Sequence, residues 1–347
     1  MKDEELTITF YKIHKCGYYL GKEKKFGDIA DTLSQLSQWA RKLKFTDTAI
    51  IPTGEKSGTV SELRTTYFYD LKKGTTGNYL LVLWNELPDV EGEVATLSKS
   101  KKVGDDTKCM LTSLPGNSVP GTASYFWFLP NLGYYATVCR KGRTANNAAM
   151  IAYIKKFIEA YSSYCVCDKS SNNTVKIIGY KEFPTSQMLE VIPNFQVSRA
   201  EDKEEIQFIS ENVTKIRKIV RKETIKNELD IRLSLAQKML VMMGIKKPVL
   251  TDEKRKVKYE LTYSPSKAEL NQLIHNWKNG NESNYDDTGF YFSGDDENRI
   301  HWLSGSISRV QKTFPISYYD DEVIDIENLL KIIDSNQSEL IKVLKIK

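Results

Sequence analysis

Several things are scarce in this chain, and each scarcity removes a class of function. Histidine is rare: His14, His275 and His301 are the three in 347 residues, so a histidine metal centre would need convergence from distant points. The five cysteines, Cys16, Cys109, Cys139, Cys165 and Cys167, are an odd count, and Met-Lys-Asp-Glu-Glu at the start is not a secretory n-region. The pattern argues against a disulfide framework and for a cytoplasmic chain with reduced thiols. No run approaches about 18 apolar residues, so no segment reads as a membrane span. A Gly-x-Ser-x-Gly elbow is absent, and Gly54-Glu-Lys-Ser-Gly58 lacks the spacing of a phosphate-binding Walker loop, reading as a polar turn. Cys165-Val-Cys167 lacks the two-residue spacer of structural zinc sites, so a buried, unreactive pair is expected. No internal repeat or low-complexity tract is present. No cofactor is expected.

What is present is positive charge with an uneven distribution. The net charge is +5, but Glu282–Lys347 holds seven Lys/Arg against thirteen Asp/Glu. That leaves −6 at the C-terminal end and +11 over the rest, a balance that suits a phosphate-bearing partner. The densest cluster is Val213–Lys226, with Lys215, Arg217, Lys218, Arg221, Lys222 and Lys226 set among β-branched residues and one acid, Glu223. Such a segment can dock an apolar side and offer a charged rim to a polyanion. A second cluster is Lys254-Arg255-Lys256-Val-Lys258. A third is Arg140-Lys141-Gly-Arg143, between a strand and a helix start. Lys215, Arg217, Lys218, Arg221 and Lys222 are the expected phosphate contacts. Lys254, Arg255, Lys256, Arg140, Lys141 and Arg143 are the secondary ones.

Apolar content of 40% with 11% aromatics supports real cores, and the length favours two domains. Periodicity predicts an opening strand at 6–13, a helix at 28–43, a hairpin from 64–71 and 78–84, and a second from Tyr125–Pro130 and Gly133–Cys139. Residues 86–121, rich in Gly, Pro, Ser, Lys and Asp, read as long loops. A helix follows at 145–164 and a linker at 168–174. Strands are expected at 175–180, 190–198 and 256–263, and helices at 227–243 and from Ser266 through Trp277. A late hairpin brackets Gly294-Asp-Asp-Glu-Asn298, and a closing helix spans 325–345. Around Val213–Lys226 the three-four spacing favours a helix and the β-branched residues a strand, with a break near Asn212. The fold class is α+β: antiparallel sheets with helices packed on one face. The expected domains are 1–168, a basic 175–280, and an acidic 281–347 whose helix packs back on the first.

The aromatic runs Tyr67-Phe-Tyr69, Tyr125-Phe-Trp-Phe128 and Tyr134-Tyr135 fit half-buried sheet packing, with base stacking as the other reading. Asp89 with Asp106 and Lys108 mimics the two-acid-plus-lysine layout of a metal-dependent nuclease, but in a Gly/Lys-rich loop rather than on rigid strands. A protein-interaction module with a DNA-mimicking acidic end is the remaining alternative. The overall reading favours binding over catalysis.

The order of elements resembles that of the RexA family of lambdoid phage exclusion proteins. The likeness runs through Ile8-Thr-Phe-Tyr11 and the helix after it, the aromatic strand pair before residue 90 and Ser124-Tyr-Phe-Trp-Phe128. It continues with Gly133-Tyr-Tyr-Ala-Thr137, Phe208-Ile with its basic sequel, the Gly294-Asp-Asp-Glu hairpin and the closing helix. It covers most of the chain loosely, and the chain is longer, with extra material in 86–121. The resemblance implies a cytoplasmic homodimer that binds double-stranded DNA with little sequence preference. It also implies a sensor role in abortive infection, beside a small multi-span membrane protein.

Overall fold

The computed structural model describes residues 1–50, 65–87, 93–98, 110–113, 118–168, 176–201, 203–225, 255–280, 287–295, 299–319 and 323–345. In chain order the strands begin with β1 (Lys2–Leu20), β2 (Glu23–Phe26), β3 (Thr66–Lys73), β4 (Tyr79–Glu86), β5 (Glu93–Ser98) and β6 (Met110–Ser113). They continue with β7 (Ser118–Leu129), β8 (Tyr134–Arg140), β9 (Cys165–Asp168), β10 (Lys176–Tyr180) and β11 (Ile192–Arg199). The last are β12 (Ile216–Ile225), β13 (Arg255–Leu261), β14 (Asp287–Phe292), β15 (His301–Trp302) and β16 (Arg309–Ile316). The helices are α1 (Ile29–Ala40), α2 (Asn147–Ala160), α3 (Lys203–Glu211), α4 (Lys267–Gly280), α5 (Ile326–Ser335) and α6 (Gln337–Leu340).

The fold is α+β with antiparallel sheets, in two compact units: Met1–Ala200 with Arg309–Lys347, and Glu201–Ser308. These boundaries differ from those read off composition, and strand pairing is the reason. β11 completes the edge of β1, which keeps 192–199 in the first unit. β14 pairs with β12, which puts the late hairpin in the second. The closing helices belong to the first unit.

In the first unit the order β11-β1-β8-β7-β4-β3 forms the body of the sheet. β1 is far longer than 6–13. One edge carries β8, and the other is shared by β16, along Lys2–Thr9, and β11, along Tyr11–Tyr19. Helices cover both faces, not one. Alternation along β4 shows why. Leu80, Val82 and Trp84 point into a core with Trp127, Leu329 and Ile333, while Leu81 and Leu83 point into another with Leu33, Met150 and Phe157. α1 and α2 close the second core and α5 with α6 the first. Asp334 of α5 fixes that side: it accepts from Trp127 Nε1 at 2.9 Å, Asn78 Nδ2 at 2.9 Å and Thr76 Oγ1 at 2.7 Å. The closing helix breaks at Asn336, which ends α5.

Two further readings are corrected. Residues 86–121 are not all loop, since β5 and β6 pair with each other and β5 with β7, ladder bonding overriding a loop-like composition. The Cys165/Cys167 pair is not buried: Cys165 is half-buried and Cys167 exposed, because β9 has β10 as its neighbour in a two-stranded sheet. Gly54–Gly58, the 169–174 stretch and the 227–243 helix lie outside the described residues.

Candidate nucleic-acid interface

The second unit is built on the four-stranded sheet β13-β12-β14-β15. Its central strand is the basic segment. After α3 and a 3-10 turn at Val213–Lys215, the chain enters β12, so the break near Asn212 is real and the β-branched residues decide for a strand. Ile216, Ile219, Phe290, Phe292 and Leu303 pack with Ile209, Leu270, Ile274 and Trp277 into one core under α3 and α4. α4 starts with a reciprocal cap. Glu269 N donates to Ser266 Oγ at 3.3 Å, and Ser266 N donates to Glu269 Oε2 at 2.8 Å. Hydrogen bonds from Tyr263 first, and then Ser266, push the Glu269 carboxyl down to about 2.

That core occupies one face of the sheet. Period-two alternation then sorts the cations. Arg221 lies two residues from Ile219 and cross-strand from Tyr259 and Thr288, so it sits on the helix side. Lys218 and Lys222 point to the opposite face, on either side of the fully buried Val220, with Lys258 cross-strand from Lys222. A register shift between Ile216 and Lys218 brings Arg217 to this face as well, its guanidinium 5.8 Å from the Tyr291 ring centre. Lys218 Nζ is also 5.8 Å from that ring and 3.8 Å from Glu260 Oε2, a loose, solvent-exposed pair that gives little net stabilisation. Lys222 Nζ stands 3.9 Å from the centre of the Trp302 ring.

Trp302 owes its position to two neighbours. Gly289 lies beneath it, where a Cβ would come within 2.8 Å of the indole. Beside it, His301 anchors the two-residue strand β15 from the core side. Its ring is 4% exposed, with Nδ1 2.9 Å from Glu205 Oε1 and Nε2 2.7 Å from Asp295 Oδ2, and it stacks on Phe208 at 4.9 Å. This face therefore carries Arg217, Lys218, Lys222 and Lys258 around two half-buried rings, Tyr291 and Trp302. The carboxylates among its described residues are Glu260 and Asp287, the latter buried and accepting from Thr288 N at 2.9 Å.

The other basic positions fall elsewhere. Lys215 is exposed on the turn before β12. Arg255 and Lys256 pair with Ile225 and Thr224, but their side chains, like Lys254 as a whole, lie outside the described residues. Arg140, Lys141 and Arg143 are in the first unit, and Lys141 is ion-paired with Glu5 at 3.1 Å. Tyr291 and Trp302 are missing from a purely charge-based reading. The middle position of Phe290-Tyr291-Phe292, and the residue after a buried His301, were the available signals.

The aromatic runs of the first unit are core apart from Tyr134, which is half-buried. Tyr67, Phe68, Tyr69, Tyr125, Phe126, Trp127, Phe128 and Tyr135 are all buried, so they offer no stacking platform. Cys16 is buried and its thiol is pushed up to about 12 by desolvation, which leaves it protonated and unreactive. Asp89, Asp106 and Lys108 lie outside the described residues. Among the described residues no group of three or more His, Cys, Asp or Glu is placed to hold a metal ion, and no helix is long and apolar enough to cross a membrane. No family model matches the chain, and neither the curated proteins nor the solved structures yield a match.

Proposed function

We propose that this chain binds nucleic acid through the face of the second unit's sheet opposite α3 and α4, with double-stranded DNA as target and little sequence preference. The observation that carries the reading is the grouping of four cations and two aromatic rings on the sheet face opposite α3 and α4. Lysine and arginine neutralise phosphates and release counterions, a contribution blind to base sequence. Tyr291 and Trp302 add surfaces on which a sugar or an exposed base can rest. The cytoplasmic sensor role in phage exclusion, the homodimer and the small membrane partner are part of the same proposal, and they rest on the resemblance of layout.

The test is a salt titration of duplex binding. Converting Arg217, Lys218, Lys222 and Lys258 to alanine should weaken binding alike on unrelated sequences. It should also reduce the magnitude of the slope of log K against log salt by about 3.6. An unchanged slope in a folded quadruple variant overturns the assignment. A single-stranded competitor that displaces duplex at equal concentration would shift the target to single strands.

A further inference from the structure

The sheet of the first unit contains a split. The β7–β8 ladder runs from Leu129↔Tyr134 to Tyr125↔Val138. Beyond that point each strand keeps its outer partner. β7 follows β4 from Ser124↔Leu83 to Gly121↔Glu86, and β8 follows β1 through Cys139↔Thr7 and Arg140↔Leu6. Two neighbouring strands thus diverge inside a continuous sheet, and backbone that would otherwise bond across the gap turns toward a cleft. The cleft has a volume of about 250 Å³, and Trp84, Ser124, Tyr125, Arg140, Arg143 and Thr144 line it.

Its chemistry is one-sided. Two guanidiniums and several hydroxyls line it, and none of its lining residues is Asp or Glu. Arg140 stands with its guanidinium 5.6 Å from the Tyr318 ring centre. Glu4 adds a negative charge near Arg140 from outside the lining, and it is itself ion-paired with Lys2 at 2.9 Å. Ser124 is 4% exposed, and its oxygen accepts from Asn85 Nδ2 at 2.9 Å and Asn146 N at 3.3 Å. With both lone pairs engaged, the O–H remains as a donor. The indole of Trp84 packs on Gly121, where a Cβ would collide with it, and its Nε1 donates to Val119 O at 3.1 Å. That ring and Val138 supply an apolar wall. Burial raises the Cys139 thiol, so the cysteine in the lining is no ready nucleophile.

We propose that this cleft binds a small phosphate monoester, with Arg140 and Arg143 gripping the phosphate and Ser124 and Thr144 donating to it. The organic part lies against Trp84 and Val138. Bidentate guanidinium contacts match phosphate geometry, and the volume falls below the roughly 300–1,000 Å³ of pockets for larger ligands. This assignment is independent of the nucleic-acid reading. It gives Arg140 and Arg143 a ligand of their own instead of a secondary place on DNA.

The experiment is calorimetric titration of the full chain with ribose 5-phosphate, adenosine monophosphate, inorganic phosphate, ribose, adenosine and a short DNA duplex. At least one of the two monoesters should bind with a dissociation constant below about 1 mM, and its unphosphorylated counterpart should not. Arg143→Gln, on an exposed loop position, should weaken that binding about tenfold without moving the melting temperature. Arg140→Lys, which keeps the charge and loses the fork, should weaken it by a similar factor. Absence of binding by both monoesters overturns the site, as does unaltered binding in Arg143→Gln. If duplex DNA competes with the monoester and Arg143→Gln weakens both equally, the cleft is a DNA contact and the proposal is wrong.

Discussion

Among the described residues, the two sheets of this protein differ in what packs on them, and the difference bears on what each can do. The first unit's sheet is covered on both faces, so most of its aromatic side chains interlock with helices. Among the described residues, the second unit's sheet has helices on one side, and its other face gathers cations and rings. Residue types that look alike in the sequence therefore have opposite roles. Tyr125-Phe-Trp-Phe128 is mortar, while Tyr291 and Trp302 are surface. Aromatic density does not mark a binding face, whereas aromatic residues out of phase with a core do.

The largest effect that would break this contrast is expected inside the first unit. Trp127→Ala removes a fully buried indole and its bond to Asp334, and should cost about 3–5 kcal/mol in denaturant unfolding. Nucleic-acid affinity measured well below the melting point should stay unchanged. A loss of binding in the folded variant would mean that the covered sheet contributes directly. Next comes His301→Leu, which leaves Glu205 and Asp295 facing each other without the imidazole between them. A cost of about 3 kcal/mol is expected, read as faster amide exchange confined to 201–308. Because β15 loses its anchor, binding should fall with it.

Trp302→Ala sharpens the comparison from the other side. It should weaken binding by about 1 kcal/mol and change stability by less than its first-unit counterpart Trp127→Ala. Equal stability losses in the two variants would show that Trp302 is core. The smallest effect concerns pH. The Glu269 carboxyl is lowered in the folded chain, so its capping contribution is complete above the ordinary value of 4.5 and disappears as pH falls through about 2. The melting difference between the parent and Glu269→Gln should be constant near neutrality and vanish toward pH 2.

Much of the fold was legible because it rests on local signals. The periodicity of α1 and α2, the Gly74–Gly77 turn between β3 and β4, and the alternation in β13 each report their own element. What was not legible depends on partners distant in the chain. β1 extends to Leu20 because β11 and β16 are there to pair with it, and nothing in Lys2–Leu20 announces them. β5 forms against the edge of β7, in a stretch whose composition favours loops. Two-sided helix cover follows from the return of α5 across more than 100 intervening residues. For the candidate site, charge located β12 but could not divide it. A single register shift at Ile216/Lys218 sets Arg217 beside Lys218, and alternation sends Arg221 to the helix side.

The shared edge of β1 has a consequence for how the chain is made. β11 ends opposite Tyr11 and β16 begins opposite Thr9, so the whole second unit departs from and rejoins the strand on either side of Phe10. On a ribosome, Glu201–Ser308 is a contiguous stretch and has all its pairing partners at hand while the tail is still being translated. The first unit, although it begins first, must wait with half of one strand edge unpaired until residues 309–316 emerge. A premature stop after Ser308 would therefore spare the late-encoded insertion and leave the early-encoded body with an open, aggregation-prone edge.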